Sequence, residues 1–124
     1  MSDCRIVVCD DQSAFRQLVT MVLGLERGIE VVGEAADGVE AIDAARRHAP
    51  DVLLLDVAMP NMDGLEALPF IREASPATRV VMVTAFGSET IRERALAAGA
   101  AGFIEKGLDV AELVEQVMQI CAVR

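Results

Sequence analysis

Four apolar or β-branched runs in this chain end on residues that can do chemistry. Asp10 and Asp11 follow Arg5 to Cys9, and Asp56 follows Val52 to Leu55. Thr84 closes Arg79 to Thr84, and Lys106 follows Ala101 to Glu105. Carboxylates, a hydroxyl and an amine gathered around one point are the parts that stabilise charge on a transferring phosphoryl group. Three carboxylates held together raise one another's pKa by like-charge repulsion. A hard divalent cation removes that problem, and an oxygen-only ligand set with retained waters suits Mg²⁺ better than zinc. In such a site Asp56 is the nucleophile and forms an aspartyl phosphate. Lys106 pairs with Asp56 or with a group attached to it, and the Thr84 hydroxyl donates to an added oxyanion.

These residues converge only if the elements behind them place them at one edge of a sheet. Val52 to Leu55 is an uninterrupted apolar run, as in a parallel strand buried on both faces. Pro60 and Asp63-Gly64 then force a loop behind Asp56. The first strand, Arg5 to Cys9, leads to a helix that Ser13 can cap, with Phe15, Leu18, Val19, Val22 and Leu25 at helical spacing. Glu30 to Ala35 is the second strand and Val39 to His48 the second helix, which Pro50 ends. Leu65 to Glu73 is helical, with Pro69 about a turn inside it, where it removes a hydrogen bond. Arg79 to Thr84 is the fourth strand. Ser88 to Ala98 forms a helix that Gly99 terminates, and Ala101 to Glu105 is the fifth strand. Asp109 caps a last helix running to about Ala122.

Five strands alternating with five helices predict an α/β domain: a parallel, doubly wound sheet of flavodoxin-like type with helices on both faces. The common order for five strands, 2-1-3-4-5, sets strands one and three side by side about 4.8 Å apart at a switch point, where ligands bind. Strand five lies roughly 10 Å from strand three, a gap that an extended lysine spans.

The 124 residues fit one domain, taken as 1–124, with no linker and no low-complexity tract. No run of about 18 apolar residues is present, and the start lacks the plan of a signal peptide, so a soluble, cytoplasmic protein without a membrane partner is expected. Twenty acidic against eleven basic residues give a net charge of −9. That charge works against direct binding to nucleic acid or an anionic membrane, and favours a cationic partner. Cys4, Cys9 and Cys121 form no CxxC pair and no metal-ligand spacing with His48. Cys4 and Cys9 lie roughly 16 Å apart along one strand and cannot bridge each other. Cys9 reads as a small buried hydrophobe, and a reduced setting fits.

The ordered set of an acidic pair after strand one, Asp56 with Met59-Pro60 and Asp63-Gly64 behind it, Thr84-Ala85, Phe103 and Lys106 resembles the response-regulator receiver domain of two-component signalling, over essentially the whole chain. The stretches VVCDDQ, VVGEAADG and Ala-Gly-Ala-Ala-Gly-Phe are most similar to the subgroup whose receivers usually precede a helix-turn-helix output domain. The resemblance implies that Asp11, Asp56 and the Ala58 carbonyl bind Mg²⁺ directly and Asp10 mostly through water. It further implies that Asp56 takes its phosphoryl group from a histidine kinase or phosphotransfer protein, that Thr84 and Phe103 are a switch pair, and that the chain assists its own phosphorylation rather than acting as an enzyme. Two departures stand out. Gly107 follows Lys106 where the family usually has proline, often in a cis bond; a cis non-proline bond costs about 2.5 to 4 kcal/mol. Ala58 and Phe86 are apolar, so neither orients a hydrolytic water, which favours a long-lived phosphoryl group.

Plainer readings exist for each residue taken alone. A capping pair explains one of Asp10 and Asp11 but not both; Lys106 could face solvent, Phe103 could be core, and His48 suits a surface position at a helix C-terminus. A haloacid-dehalogenase-like phosphatase would need a second acid two residues after Asp56, where Ala58 stands. A flavodoxin-like carrier would set its phosphate against Asp10 and Asp11, with no Trp or Tyr to stack on a flavin. The remaining alternative is a receiver-like interaction module that works without phosphorylation. On the last helix Val110, Leu113, Val114, Val117 and Cys121 form a core stripe, flanked by Ile120 on one side and Ala111, Met118 and Ala122 on the other. An apolar arc this wide needs cover from helix one or four, or from a second copy or an output partner.

Overall fold

The computed structural model describes residues 3–85, 87–107 and 109–122. The elements alternate as expected: β1 (Cys4–Cys9), α1 (Ser13–Gly24), β2 (Ile29–Ala35), α2 (Gly38–His48), β3 (Val52–Asp56), α3 (Gly64–Ala74), β4 (Arg79–Thr84), α4 (Glu89–Ala97), β5 (Gly102–Glu105) and α5 (Val110–Ala122). All strand pairs are parallel, in the order β2-β1-β3-β4-β5.

Alternation along the strands builds two cores. Val7, Cys9, Leu53, Leu55, Val80 and Met82 face α2, α3 and α4, meeting Ala41, Ala45, Ala67, Leu68, Ile71 and Ala95. Ile6, Val8, Val52, Leu54, Val81 and Val83 face α1 and α5, meeting Val19, Leu23, Leu113, Val114 and Val117. Because β3 is central and covered on both faces, all five of its residues are buried, Asp56 included. The β1–β2 ladder shifts register between Ile6 and Val7, opposite Val31 and Gly33. At Gly33 the bare backbone admits the half-buried ring of His48: a Cβ there would lie 2.9 Å from its Cδ2. His48 is therefore packed on β2 rather than free on the surface.

Several local expectations are corrected. Ser13 does not cap α1. Gln12 holds the cap position without a side-chain bond, and its N–H donates to the Asp10 carboxylate at 2.9 Å. Because α1 stops at Gly24, Leu25 lies beyond the helix and is 80% exposed, and Leu18 is 40% exposed; Val19 and Leu23 hold the core positions. Helix α3 runs through Pro69 unbroken, started by a reciprocal capping box between Asp63 and Glu66. Asp109 caps α5 as expected, accepting from the Glu112 N–H at 2.8 Å. No described peptide bond is cis, so Lys106–Gly107 is trans. Cys4 and Cys121, 117 residues apart, are joined as a disulfide, which corrects the expectation of three reduced cysteines; Cys9 is a buried free thiol.

Candidate functional site

The C-terminal ends of β1 and β3 bring Asp10, Asp11 and Asp56 together. One carboxylate oxygen from each lies within 4.8 Å of the others. Asp10 and Asp56 are 2% and 4% exposed, whereas Asp11 reaches solvent. The backbone fixes these positions. β3 pairs with β1 through Cys9 and Leu55, so the next residues on each strand are the two buried acids. Arg16 holds the turn after β1 from outside, donating through Nη1 to the Asp10 carbonyl at 2.6 Å and through Nε to Glu34 at 3.0 Å.

Lys106, just past the end of β5, reaches into this cluster. Its Nζ lies 2.6 Å from Asp10 Oδ2 and 3.2 Å from Asp56 Oδ2, and sits over the Phe15 ring at 4.4 Å from the centroid. The sequence reading paired Lys106 with Asp56; its shorter bond goes to Asp10. One ammonium among three carboxylates leaves an uncompensated excess of negative charge. Burial, reinforced by the neighbouring Asp10 charge, raises the Asp56 pKa above the ordinary carboxylate range despite the opposing pull of Lys106. Burial works against the Lys106 charge, but its hydrogen bond to Asp10 and the attraction of both acids raise its pKa overall.

The loop after β3 is held at several points. Gly64 N–H donates to the Val57 carbonyl at 2.8 Å, and a Cβ at Gly64 would collide with the Asp56 carbonyl oxygen. Asn61, in the left-handed region at φ 66°, donates to Asp37 at 2.8 Å, and Gly38 N–H donates to the Met62 carbonyl at 2.9 Å. Hydrogen bonds from the Glu40 N–H and Asn61 lower the Asp37 pKa. The acceptor loop is thereby anchored to the start of α2. No motif pointed to the pairing of Asn61 with Asp37, because it joins two loops 24 residues apart. Ala58 is exposed on this loop, and its N–H donates to Asp56 Oδ1 at 3.4 Å.

Thr84 ends β4 beside Asp56, buried, with its carbonyl accepting from the Lys106 N–H at 2.8 Å. Phe103 lies on β5, paired with Met82 and half-buried against the core. Phe86 is outside the described residues.

This donor set fits a hard divalent cation: three carboxylates with converging oxygens, one of them solvent-facing, and no sulfur or imidazole ligand. Cys9 lies behind the site, but burial and then the Asp10 and Glu40 charges push its thiol far up, so it stays protonated.

Residues 6–118 match the family model described as the response regulator receiver domain. Over 118 residues the chain is 42% identical to the probable transcriptional regulatory protein NarL of Mycobacterium tuberculosis (strain ATCC 25618 / H37Rv), covering 95% of this chain and 54% of that protein. The chain thus spans about half the length of the curated relatives it first matches. The solved signal receiver domain of the putative response regulator NarL from Mycobacterium tuberculosis superposes with a TM-score of 0.91 at 39% identity, covering 100% of both chains. The CheX-CheY-BeF3-Mg complex from Borrelia burgdorferi superposes with a TM-score of 0.87 at 34% identity, covering 94% of this chain and 88% of that one.

Proposed function

The chain belongs to the response regulator receiver domain family, and from that premise we propose that it is a phosphorylation-dependent signalling switch whose acceptor is Asp56. The observation that carries this reading is the convergence of Asp10, Asp11 and Asp56 with the Lys106 ammonium between two of them. In the step proposed, an Asp56 carboxylate oxygen attacks phosphorus. The new O–P bond forms as the P–N bond to the donor imidazole of a histidine kinase or phosphotransfer protein breaks, and the departing imidazole nitrogen takes up a proton.

Asp11, Asp56 and the Ala58 carbonyl would hold Mg²⁺ directly, and Asp10 mostly through water; the carboxylate set fits that role. When bound, the ion supplies positive charge against the phosphoryl oxygens. Lys106 stays protonated beside Asp56 and offers a second positive contact. Thr84 donates its hydroxyl to the added group, and Phe103 repacks as Thr84 moves, a two-state shift that ends at the surface around the last helices. That surface then meets a second copy or an output domain. Such a chain is a phosphoacceptor that assists its own modification rather than a turnover enzyme. It forms one receiver domain over 1–124, acts in the cytoplasm, and does not itself bind nucleic acid.

Intact mass after treatment with a small phosphodonor and Mg²⁺ tests the acceptor. One added phosphoryl group is expected on wild type and none on Asp56→Asn; equal modification of both chains would move the acceptor elsewhere. The apolar, exposed Ala58 offers no group to an attacking water. Phosphoryl loss timed in Ala58→Asn should therefore be faster than in wild type, and an unchanged lifetime would remove this position from the control of hydrolysis.

A further inference from the structure

At the end of the strands opposite Asp56, residues near the two ends of the described chain are covalently joined. Cys4 opens β1, Cys121 lies in the last turn of α5, and their Cα atoms are 5.9 Å apart. That spacing falls within the roughly 4.4 to 6.8 Å that disulfides span. Both side chains are buried, Cys4 2% and Cys121 8% exposed, yet both line an open recess of about 260 Å³ that Arg27, Gly28 and Met118 share. The third cysteine does not line this recess: Cys9 is a buried free thiol at the other end of β1.

We propose that Cys4 and Cys121 form a reversible redox modification site whose reaction partner is a low-molecular-weight disulfide of the glutathione class. Closure clamps the last turn of α5 to the start of β1. The Cys121 thiolate, the more exposed of the two, attacks one sulfur of the small disulfide. A Cys121–sulfur bond forms, the disulfide's own bond breaks, and its second half leaves as a thiolate. The Cys4 thiolate then attacks the Cys121 sulfur, forming the Cys4–Cys121 bond and releasing the other small thiolate. Two protein thiols are oxidised and one small disulfide is reduced to two thiols; the protons lost by the cysteines are those the two leaving groups take up. Excess small thiol runs the sequence backwards.

The clamp ties down this turn as well as closing a loop that spans almost the whole fold. Helix ends open readily unless tied down. Besides the clamp, the Ile120 carbonyl accepts from Arg79 Nη1 at 2.6 Å. Met118 and Ala122, either side of Cys121, line the groove between α1 and α5, so loosening this turn alters that surface.

The test equilibrates the wild-type chain in a series of reduced-to-oxidised glutathione ratios, quenches with acid, alkylates under denaturing conditions and reads intact mass. Oxidation should leave one alkylatable thiol, Cys9, where reduction gives three, and excess reduced glutathione added to the native chain should restore all three. The oxidised form should melt roughly 10 °C or more above the reduced form, because the bond closes a very long loop. Hydrogen exchange at Met118 to Ala122 should be at least tenfold slower when oxidised. Cys121→Ser should lose the redox dependence of both readouts, and Cys4→Ser serves the same purpose if the first variant fails to fold. Three free thiols at every ratio, a glutathione adduct that never resolves, a bond that excess reduced glutathione cannot open, or equal melting temperatures would each overturn the proposal. No phosphodonor is involved, so failure here leaves the Asp56 reading untouched.

Discussion

At the residue scale, the central quantity is the charge on Asp56. Burial and then Asp10 raise its pKa in the folded chain. A carboxyl whose folded pKa is raised holds its proton more tightly folded than unfolded. Its contribution to stability is therefore present at low pH and lost as pH rises from the ordinary carboxylate range through the folded value. Without divalent metal, Asp56→Asn should be more stable than wild type at pH 8 by on the order of 1 kcal/mol, and the gap should close toward about pH 3. Urea denaturation at the two pH values measures this, and a gap independent of pH would mean that Lys106 already compensates the charge. Lys106 itself is raised, so its favourable pairing persists below the ordinary lysine pKa and is lost only as pH climbs through the folded value; it does not confound the comparison. Mg²⁺ should reverse the order, stabilising the wild type more than the variant. That these residues stand at strand ends was legible because a strand end is marked by where an apolar run meets a polar residue. The sequence reading missed the preference of Lys106 for Asp10, since strand order sets which acids lie within reach and not which oxygen is nearer.

At the element scale, the loop between β3 and α3 is built to hold still. Gly64 stands where the Asp56 carbonyl leaves no room for a side chain, and Asp63 begins α3 with a capping box. Gly64→Ala should cost about 2 kcal/mol or more, as expected for overpacking against backbone, and should weaken Mg²⁺ binding by displacing Asp56 and Ala58. Calorimetry and a metal titration on the same variant test both effects; an unperturbed metal affinity would detach the loop's geometry from the site. Asp63-Gly64 was legible as a turn, and so was every element from its period. Element ends were less so. Ser13 looked like the better cap, but the Asp10 carboxylate takes the Gln12 N–H and moves the start of α1. Leu25 looked like a core position on helical spacing, but α1 ends one residue before it. Neither outcome is a local property of the sequence around it. The Cys4–Cys121 pair lay further still from view, since only the docking of α5 beside β1 makes residues 117 apart neighbours.

At the scale of the whole molecule, α5 buries Leu113, Val114, Val117 and Cys121, and α1 packs along one flank of it. That contact covers part of the wide apolar arc read from the sequence. An open groove of about 550 Å³ still runs between the two helices, with Val22, Val114 and Met118 among its walls. If phosphorylation drives self-association through this flank, a phosphoryl mimic should shift wild type toward dimer in sedimentation velocity, and Met118→Glu should abolish the shift. Association that ignores the added charge would place the contact on another face.

The strand order also decides how copies of this chain can meet without harm. It leaves β2 and β5 as the rims of the sheet. β5 is only four residues long and ends at exposed Glu105, while β2 carries exposed Glu30 and Glu34 and a register shift opposite Gly33. Short, charged and irregular rims are poor templates for strand addition. A protein that crowds its copies together in response to a signal runs the risk of fibrillar stacking at that moment. Here the rims resist strand addition, so any contact between copies falls to the helix surfaces.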